Sequence, residues 1–445
     1  MKHLISAVEK NADLIYETEN YIWKNPETGY KEFKTHAFMA EKFRALGYDL
    51  VEAEGITGFY TVLDTGKEGP TVLVLGEMDS IICPSHPESD PVTGAAHSCG
   101  HHAQCAALVG VAAALKEEGA LCGLCGKIKL CAVPAEELLE INYRSDLMKQ
   151  GKIKYFGGKP EFLSRGYFDD VDIAFMIHTG GGENFSTTQG SVGCLAKRII
   201  YKGVAAHAGA CPWDGKNALY AATCGINAVN AIRETFPEWD VIRFHPIITE
   251  GGQMVNAIPE TVSMESYVRG KSFEGIAKAN KRVNKALTGA ALSIGTNIEI
   301  IDMPGYAPHI NDQNMIQLTA DAAKDAIPHR QFVIGNGYSS GSTDMGDLSC
   351  VMPIIHPYSC GSIGKGHGND YYIKDHEGAT VDSAKLQVGM LYLLLKDNAE
   401  RANKIIAEFK PRFASKKEFL DYLDSLFKDG DRIIYNEDDT VTVKL

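Results

Sequence analysis

The 445-residue sequence predicts an α/β fold with a smaller α+β domain inserted into it, and two observations carry that prediction. Short, nearly continuous apolar runs alternate with helical patterns, which marks strands buried on both faces by helices. Between residues 194 and 304 the rhythm changes to β-α-β-β-α-β, the split-βαβ order of a self-contained ferredoxin-like domain.

In chain order, two helical stretches open the sequence. FYTVLD at 59–64 and TVLVLG at 71–76 read as strands, and 102–117 reads as a helix. KIKLCAVP at 127–134 and VDIAFMIH at 171–178 are further buried strands, and polar groups at the ends of such strands are where sites gather. The insertion then supplies a strand (CLAKRIIYKGV), a helix (GKNALYAATCGINAVNAIRETF), strands at 241–249 and 261–269, a helix near 273–293 and the strand NIEIIDM. After Pro304 the first rhythm resumes, with a helix near 313–326, strands near 331–335 and 351–356, and one long helix from 379 to 408. The tail from 415 onward reads as a helix and a strand. The expected domains are therefore 1–190 with 306–445, and 191–305 inserted between them.

Composition narrows the function. With 44 Lys+Arg against 57 Asp+Glu the formal charge is −13, which argues against nucleic acid and anionic membrane as partners. The longest uncharged apolar stretch, AQCAALVGVAAAL, is too short to span a bilayer, and the N-terminal segment lacks the apolar core of a signal peptide. Eleven cysteines, odd in number and spread along a long chain, suit reduced thiols, and the expected compartment is the cytoplasm.

The densest chemistry is His97-Ser98-Cys99-Gly100-His101-His102, between a loop and a helix start. Thiolate and imidazole are the ligands that zinc and its neighbours prefer, and a ligand-x-ligand spacing at a turn directs both side chains to one place. A helix start that happens to be rich in His is the plain alternative. Glu136-Glu137 follows the strand KIKLCAVP; adjacent carboxylates diverge, so one can bind a metal while the other faces the water it activates. An isolated Glu-Glu pair is more often a solvated turn. His178 ends VDIAFMIH, and His367 lies in the glycine-rich GSIGKGHGNDYY. Cys99, His101, Glu137, His178 and His367 are too many ligands for one tetrahedral ion and suit two ions with a shared ligand, which points to amide or ester hydrolysis.

The ordered set GEMDS (76–80), HSCGHHAQ (97–104), PAEE (134–137), His178, GVAAHAGACPWDGKNAL (203–219), GGQMVNAIPE (251–260), GSTDMGD (341–347) and GKGHG (364–368) resembles the two-metal aminoacylase and amidohydrolase family of metallo-exopeptidases. Its members include hydrolases of indole-acetyl-amino acids, hippurate and p-aminobenzoyl-glutamate. The resemblance implies a catalytic domain with a mixed central sheet flanked by helices, and a lid and dimerisation domain in the insertion. It also implies two divalent ions per subunit, zinc or manganese with cobalt or nickel as alternatives, and a homodimer acting on small-molecule substrates.

By the same resemblance Cys99 bridges the ions and His101, Glu137, His178 and His367 complete their coordination. Glu136 is then the general base toward a metal-bridged water, and Asp79 orients a ligating imidazole. His207 and Asn256 match lid residues that stabilise the oxyanion, the His in this family usually reaching across from the partner subunit. Arg269 is a candidate for a substrate carboxylate, and an exposed strand-end Arg is an equal reading. Ser342, Thr343 and Asp344 match a loop near the family's active site. The expected activity is hydrolysis of the amide of N-acyl or N-aroyl amino acids or small peptides; the alternative is a degenerate relative that binds metal or a small ligand without turnover.

One position departs from the pattern. His102 stands where the family usually has Asp or Asn, which leaves three readings: changed support for a metal, a retuned pocket, or an extra ligand. Two decoys are set aside: Cys122 and Cys125 have no second pair to complete a zinc site, and Gly364, Gly366 and Gly368 do not make a nucleotide loop.

Overall fold

The computed structural model describes residues 1–438 and 440–444. The chain divides into two compact units: Met1–Gly190 with His309–Ser339 and Thr343–Lys416, and Ser191–Pro308 with Ser340–Ser342 and Lys417–Leu445.

The first unit is built on a six-stranded mixed sheet. Its spatial order is Val51–Glu52, Phe59–Asp64, Lys127–Val133, Thr71–Glu77, Ile173–Phe175, Ile354–Ile355. The last four strands run parallel to one another, and Phe59–Asp64 pairs antiparallel to Lys127–Val133. Thr71–Glu77 lies mid-sheet with all seven residues buried, which is why its sequence is apolar without alternation. Behind it packs the helix His101–Lys116, buried over almost its whole length. Gly76 lets the strand meet this helix closely, a side chain there meeting Leu108 and Cys105, while Gly110 on the helix admits two further helices at Ile15 and Ala384. Helix and strand both end at the same edge of the sheet, and that edge carries the chemistry.

The second unit is an antiparallel sheet in the order Arg243–Phe244, Thr261–Gly270, Gly193–Lys202, Asn297–Tyr306, with Ile247–Glu250 also on Thr261–Gly270. The helices Ala218–Ile232 and Phe273–Ile294 join it in one core around Tyr201, Met264, Leu287 and Ile300. Asn217 and Ser272 cap these helices through their side-chain oxygens.

Four expectations are corrected. Three helices, Lys2–Lys10, Ala12–Trp23 and Phe33–Ala45, precede the sheet where two stretches are expected. The strand expected at 241–249 is two short ones, because Pro246 between them has no N–H for the ladder. The long helix expected from 379 to 408 is a π turn, Glu377–Val381, the helix Asp382–Leu395 and a separate helix Glu400–Glu408. Asp397, Asn398 and Ala399 between them all have positive φ, 50–57°, a conformation that Asp and Asn tolerate and a continuous helix forbids.

The fourth concerns the tail, expected in the catalytic domain as part of 306–445. Residues 417–445 belong instead to the inserted unit: Asp302 and Lys428 exchange backbone hydrogen bonds, and Ile433 is buried in the inserted core. The inserted unit itself runs to Pro308 rather than 305. Among the described residues no helix is long and apolar enough to cross a membrane.

Candidate metal centre

The loop His97–Gly100 turns into the helix through Gly100, whose φ of +96° and close neighbours Tyr371 and Thr179 exclude a side chain. That turn aims Cys99 and His101 into one space. The strand Thr71–Glu77 brings Asp79 to the same place. Lys127–Val133 brings Glu136 and Glu137, after a left-handed Ala135 (φ +54°) whose N–H donates to Glu32 at 2.8 Å. His178 follows Ile173–Phe175, its N–H donating to the Pro357 carbonyl at 2.9 Å. His367 comes from the glycine-rich loop, also left-handed (φ +62°), and its N–H donates to the Ser98 carbonyl at 2.8 Å.

The donor atoms fall into two groups that share Cys99: Cys99, His101 and His178, and Cys99, Glu137 and His367, each within 4.8 Å. Cys99 Sγ lies 3.5 Å from His178 Nε2, and His367 Nε2 lies 3.0 Å from Glu137 Oε1. The structure thus brings all five expected ligands together, with the thiol common to both groups. Donors of this type, thiolate, imidazole and carboxylate, fit zinc and its first-row neighbours. One buried atom fits a cation better than it fits the protein alone: His101 Nε2 has no hydrogen-bond partner.

Asp79 is the bracket of this arrangement. His101 Nδ1 lies 2.9 Å from its carbonyl and 3.1 Å from its Oδ1, so the Nδ1 proton is committed there and Nε2 is left free for a ligand. Its other oxygen accepts the Glu137 N–H at 2.8 Å. One carboxylate thus orients two of the candidate donors.

The electrostatics follow from burial. Burial and Glu137 push the Cys99 thiol up, but His101 and His178 outweigh them and bring it down to about 6. Burial also works against ionising Glu137, yet its hydrogen bond to and charge from His367, with His101, hold it down at about 2. The partners Cys99 and Glu137 raise His367 to about 11. Glu136 is different: burial, then the carboxylates of Glu77, Glu137 and Asp344, push it well above the usual carboxylate range. Two adjacent glutamates are driven in opposite directions, one toward a fixed anion and one toward a group that holds a proton.

Sequence reasoning missed the supports. Arg144, fully buried, donates to the carbonyls of Phe156 and Glu137 and so fixes the glutamate turn. Lys159, also fully buried, reaches both Glu77 and Asp344. Neither stands in a ligand-like pattern, and only burial identifies them. Gly158 is a third support: a Cβ there would stand 1.7 Å from the Pro134 carbonyl. Gly158→Ala is expected to displace the Pro134–Glu137 turn, lowering both melting temperature and metal affinity, which calorimetry with and without metal would measure.

His102 is not an extra ligand. Its ring packs 4.9 Å from Trp23 and 5.3 Å from His97, and it joins none of the donor groups among the described residues. Adjacent helix residues face different sides, so His101 and His102 cannot both point into one site. Cys122 is exposed and Cys125 buried, and all eleven cysteines are free thiols.

His207, Asn256 and Arg269 lie on the inserted unit. His207 and Ala257 form a backbone bridge, and the Ala208 N–H donates to the Asn256 carbonyl at 2.9 Å, so the two segments run side by side. His207 Nδ1 accepts from the N–H groups of Gly209 and Ala210 at 3.1 and 3.0 Å, which leaves the proton on Nε2 as a donor. Arg269, half-buried on Thr261–Gly270, donates to Ser342 Oγ at 3.4 Å and has an unpartnered Nε. Thr343 is buried in the first unit, as is Asp344.

Comparison with known proteins places this geometry. The model of peptidase family M20/M25/M40 matches residues 73–397. The Xaa-Arg dipeptidase of Mus musculus is 28% identical over 432 residues, 93% of this chain and 90% of that protein. The indole-3-acetyl-aspartic acid hydrolase of Enterobacter agglomerans is 27% identical over 349 residues, 64% of this chain and 75% of that protein. Among solved structures, the Bacillus subtilis YXEP protein, described as a dinuclear metal binding peptidase, shares the fold with a TM-score of 0.64 at 18% identity, covering 87% of this chain and 99% of that one.

Proposed function

The chain belongs to peptidase family M20/M25/M40 and is an amide-bond hydrolase, and from that premise we propose that it cleaves N-acyl or N-aroyl amino acids or small peptides at a two-metal centre. The observation that carries the reading is the pair of donor groups joined at Cys99. Cys99, His101 and His178 would hold one ion, and Cys99, Glu137 and His367 the other. Zinc or manganese suits this set, and cobalt or nickel is accepted by the same donors. When bound, two such ions supply an activated water and polarise the scissile carbonyl.

The protein's own residues do the rest. Glu136, with its raised affinity for protons, takes one from the attacking water and passes it to the leaving amine. Asp79 keeps His101 in the tautomer that binds through Nε2. His207, a donor at Nε2, and Asn256 meet the negative charge that develops as the carbonyl becomes tetrahedral. Arg269 receives the substrate carboxylate through its planar fork. The protein acts in the cytoplasm, as a homodimer joined through the inserted domain; the exposed apolar side chains of Tyr220, Ile247, Met254 and Val255 on that domain support the dimer.

The test is amine release, followed by mass spectrometry, from a panel of N-acyl amino acids, aroyl-glutamates and dipeptides, with zinc or manganese and with a chelator control. Release that the chelator abolishes is the expected result. Folded, metal-loaded protein that releases nothing from any member of the panel overturns the substrate class.

A further inference from the structure

Glu77 has no part in the roles above, yet it stands at the centre of the site. It ends the strand Thr71–Glu77 and is fully buried. Its Oε1 meets the ammonium of Lys159, which on its other side reaches Asp344; all three side chains are sealed from solvent. Its Oε2 accepts from Gln104 Nε2 at 3.1 Å and lies 3.3 Å from His101 Nε2.

That last distance carries chemical information. His101 Nδ1 is committed to Asp79, so Nε2 is the atom left for a cation, and it has no hydrogen-bond partner. Two N or O donors bound to one tetrahedral ion at roughly 2.0–2.2 Å stand about 3.3–3.6 Å apart, a range that includes the spacing here. Glu77, His101 and Glu136 also form a third set of donors within 4.8 Å of one another. The charges agree. One buried ammonium balances one of the two carboxylates it touches and leaves a surplus negative charge, which a cation held between Glu77 and His101 would offset. Lys159 occupies Oε1 and so turns Oε2 toward His101.

We infer that Glu77 is a sixth protein donor of the metal centre, on the His101 side, and that Lys159 is the positioning residue that aims it. The inference rests on the two-metal reading above. The rival account makes Glu77 only the counter-ion of Lys159, needed for folding and indifferent to metal.

Metal titration separates the two. Zinc and manganese affinity and stoichiometry are measured by calorimetry on the purified chain, and the visible spectrum of the cobalt-loaded protein reports the ligand set independently of turnover. Glu77→Gln is expected to weaken one of the two ions by about 10- to 100-fold, the range for groups that support a metal, or more, and to shift the cobalt bands. Glu77→Gln leaves Lys159 and Asp344 as a balanced buried pair, and the variant Glu77→Gln/Lys159→Met/Asp344→Asn, which carries none of the three buried charges, is the control for folding. A donor role predicts that both variants bind that ion weakly. Wild-type affinity and an unchanged cobalt spectrum in either folded variant overturn the inference and leave Glu77 a counter-ion. If the wild-type chain itself binds fewer than two ions, the two-metal reading fails first, and that result is distinguishable from the failure of Glu77 alone.

Discussion

Glu136→Gln is expected to lower kcat by about 10²- to 10⁴-fold, the range for a positioned acid–base group, while metal content and melting temperature stay close to those of the parent. The amide keeps the size of the carboxylate and removes its capacity to hold a proton. Glu136 is the group for this role because its neighbour is unfit for it: Glu137 is held ionised by His367, whereas Glu136 is pushed toward the protonated form by burial and by three nearby carboxylates. In the parent, kcat/KM should rise with pH as Glu136 loses its proton, since only the ionised form accepts one from water. Glu136→Gln should lose that rising limb. A variant that hydrolyses at the parental rate, or retains the limb, removes Glu136 from the reaction.

Cys99→Ala is expected to act more broadly, by emptying both metal positions rather than one. The thiol is the only side chain common to the Cys99–His101–His178 and Cys99–Glu137–His367 groups, so its loss deprives each ion of a donor. His178→Ala touches only the first group and should spare the second ion. Metal analysis of the two variants after dialysis separates these outcomes; a Cys99→Ala protein that retains both ions refutes the bridge. Binding also couples to stability. A ligand at a thousandfold excess over its Kd stabilises the native state by about 4 kcal/mol, so added metal should raise the melting temperature of the parent and leave that of Cys99→Ala nearly unmoved. Protons must leave His101, His178 and His367 as the ions enter, so uptake should release acid and weaken as pH falls.

Most of the candidate donors were legible in the sequence because they stand beside the ends of elements whose periodicity is itself legible. TVLVLG announces a strand buried on both faces, and GEMDS therefore falls at its edge; KIKLCAVP does the same for Glu136 and Glu137. The insertion was legible for a similar reason, since long alternating strands such as Thr261–Gly270 and capped helices such as Phe273–Ile294 are set by local pattern. Breaks that depend on single residues were harder. Pro246 divides a strand, and the left-handed run Asp397–Ala399 divides a helix, within sequences whose apolar spacing continues across the break.

What the sequence determined by itself was the inventory: an α/β chain with an inserted ferredoxin-like domain, and the thiol, imidazoles and carboxylates that meet at one sheet edge. Their partners were set by how the elements pack. The sharing of Cys99 between two groups, the turn of His102 away from them, the burial of Lys159 between Glu77 and Asp344, and the docking of the tail on the inserted core all join residues far apart in the chain. Local periodicity fixes which face of an element is buried, whereas these pairings depend on which other element covers that face, and a buried charge declares its partner only once solvent has been removed from around it.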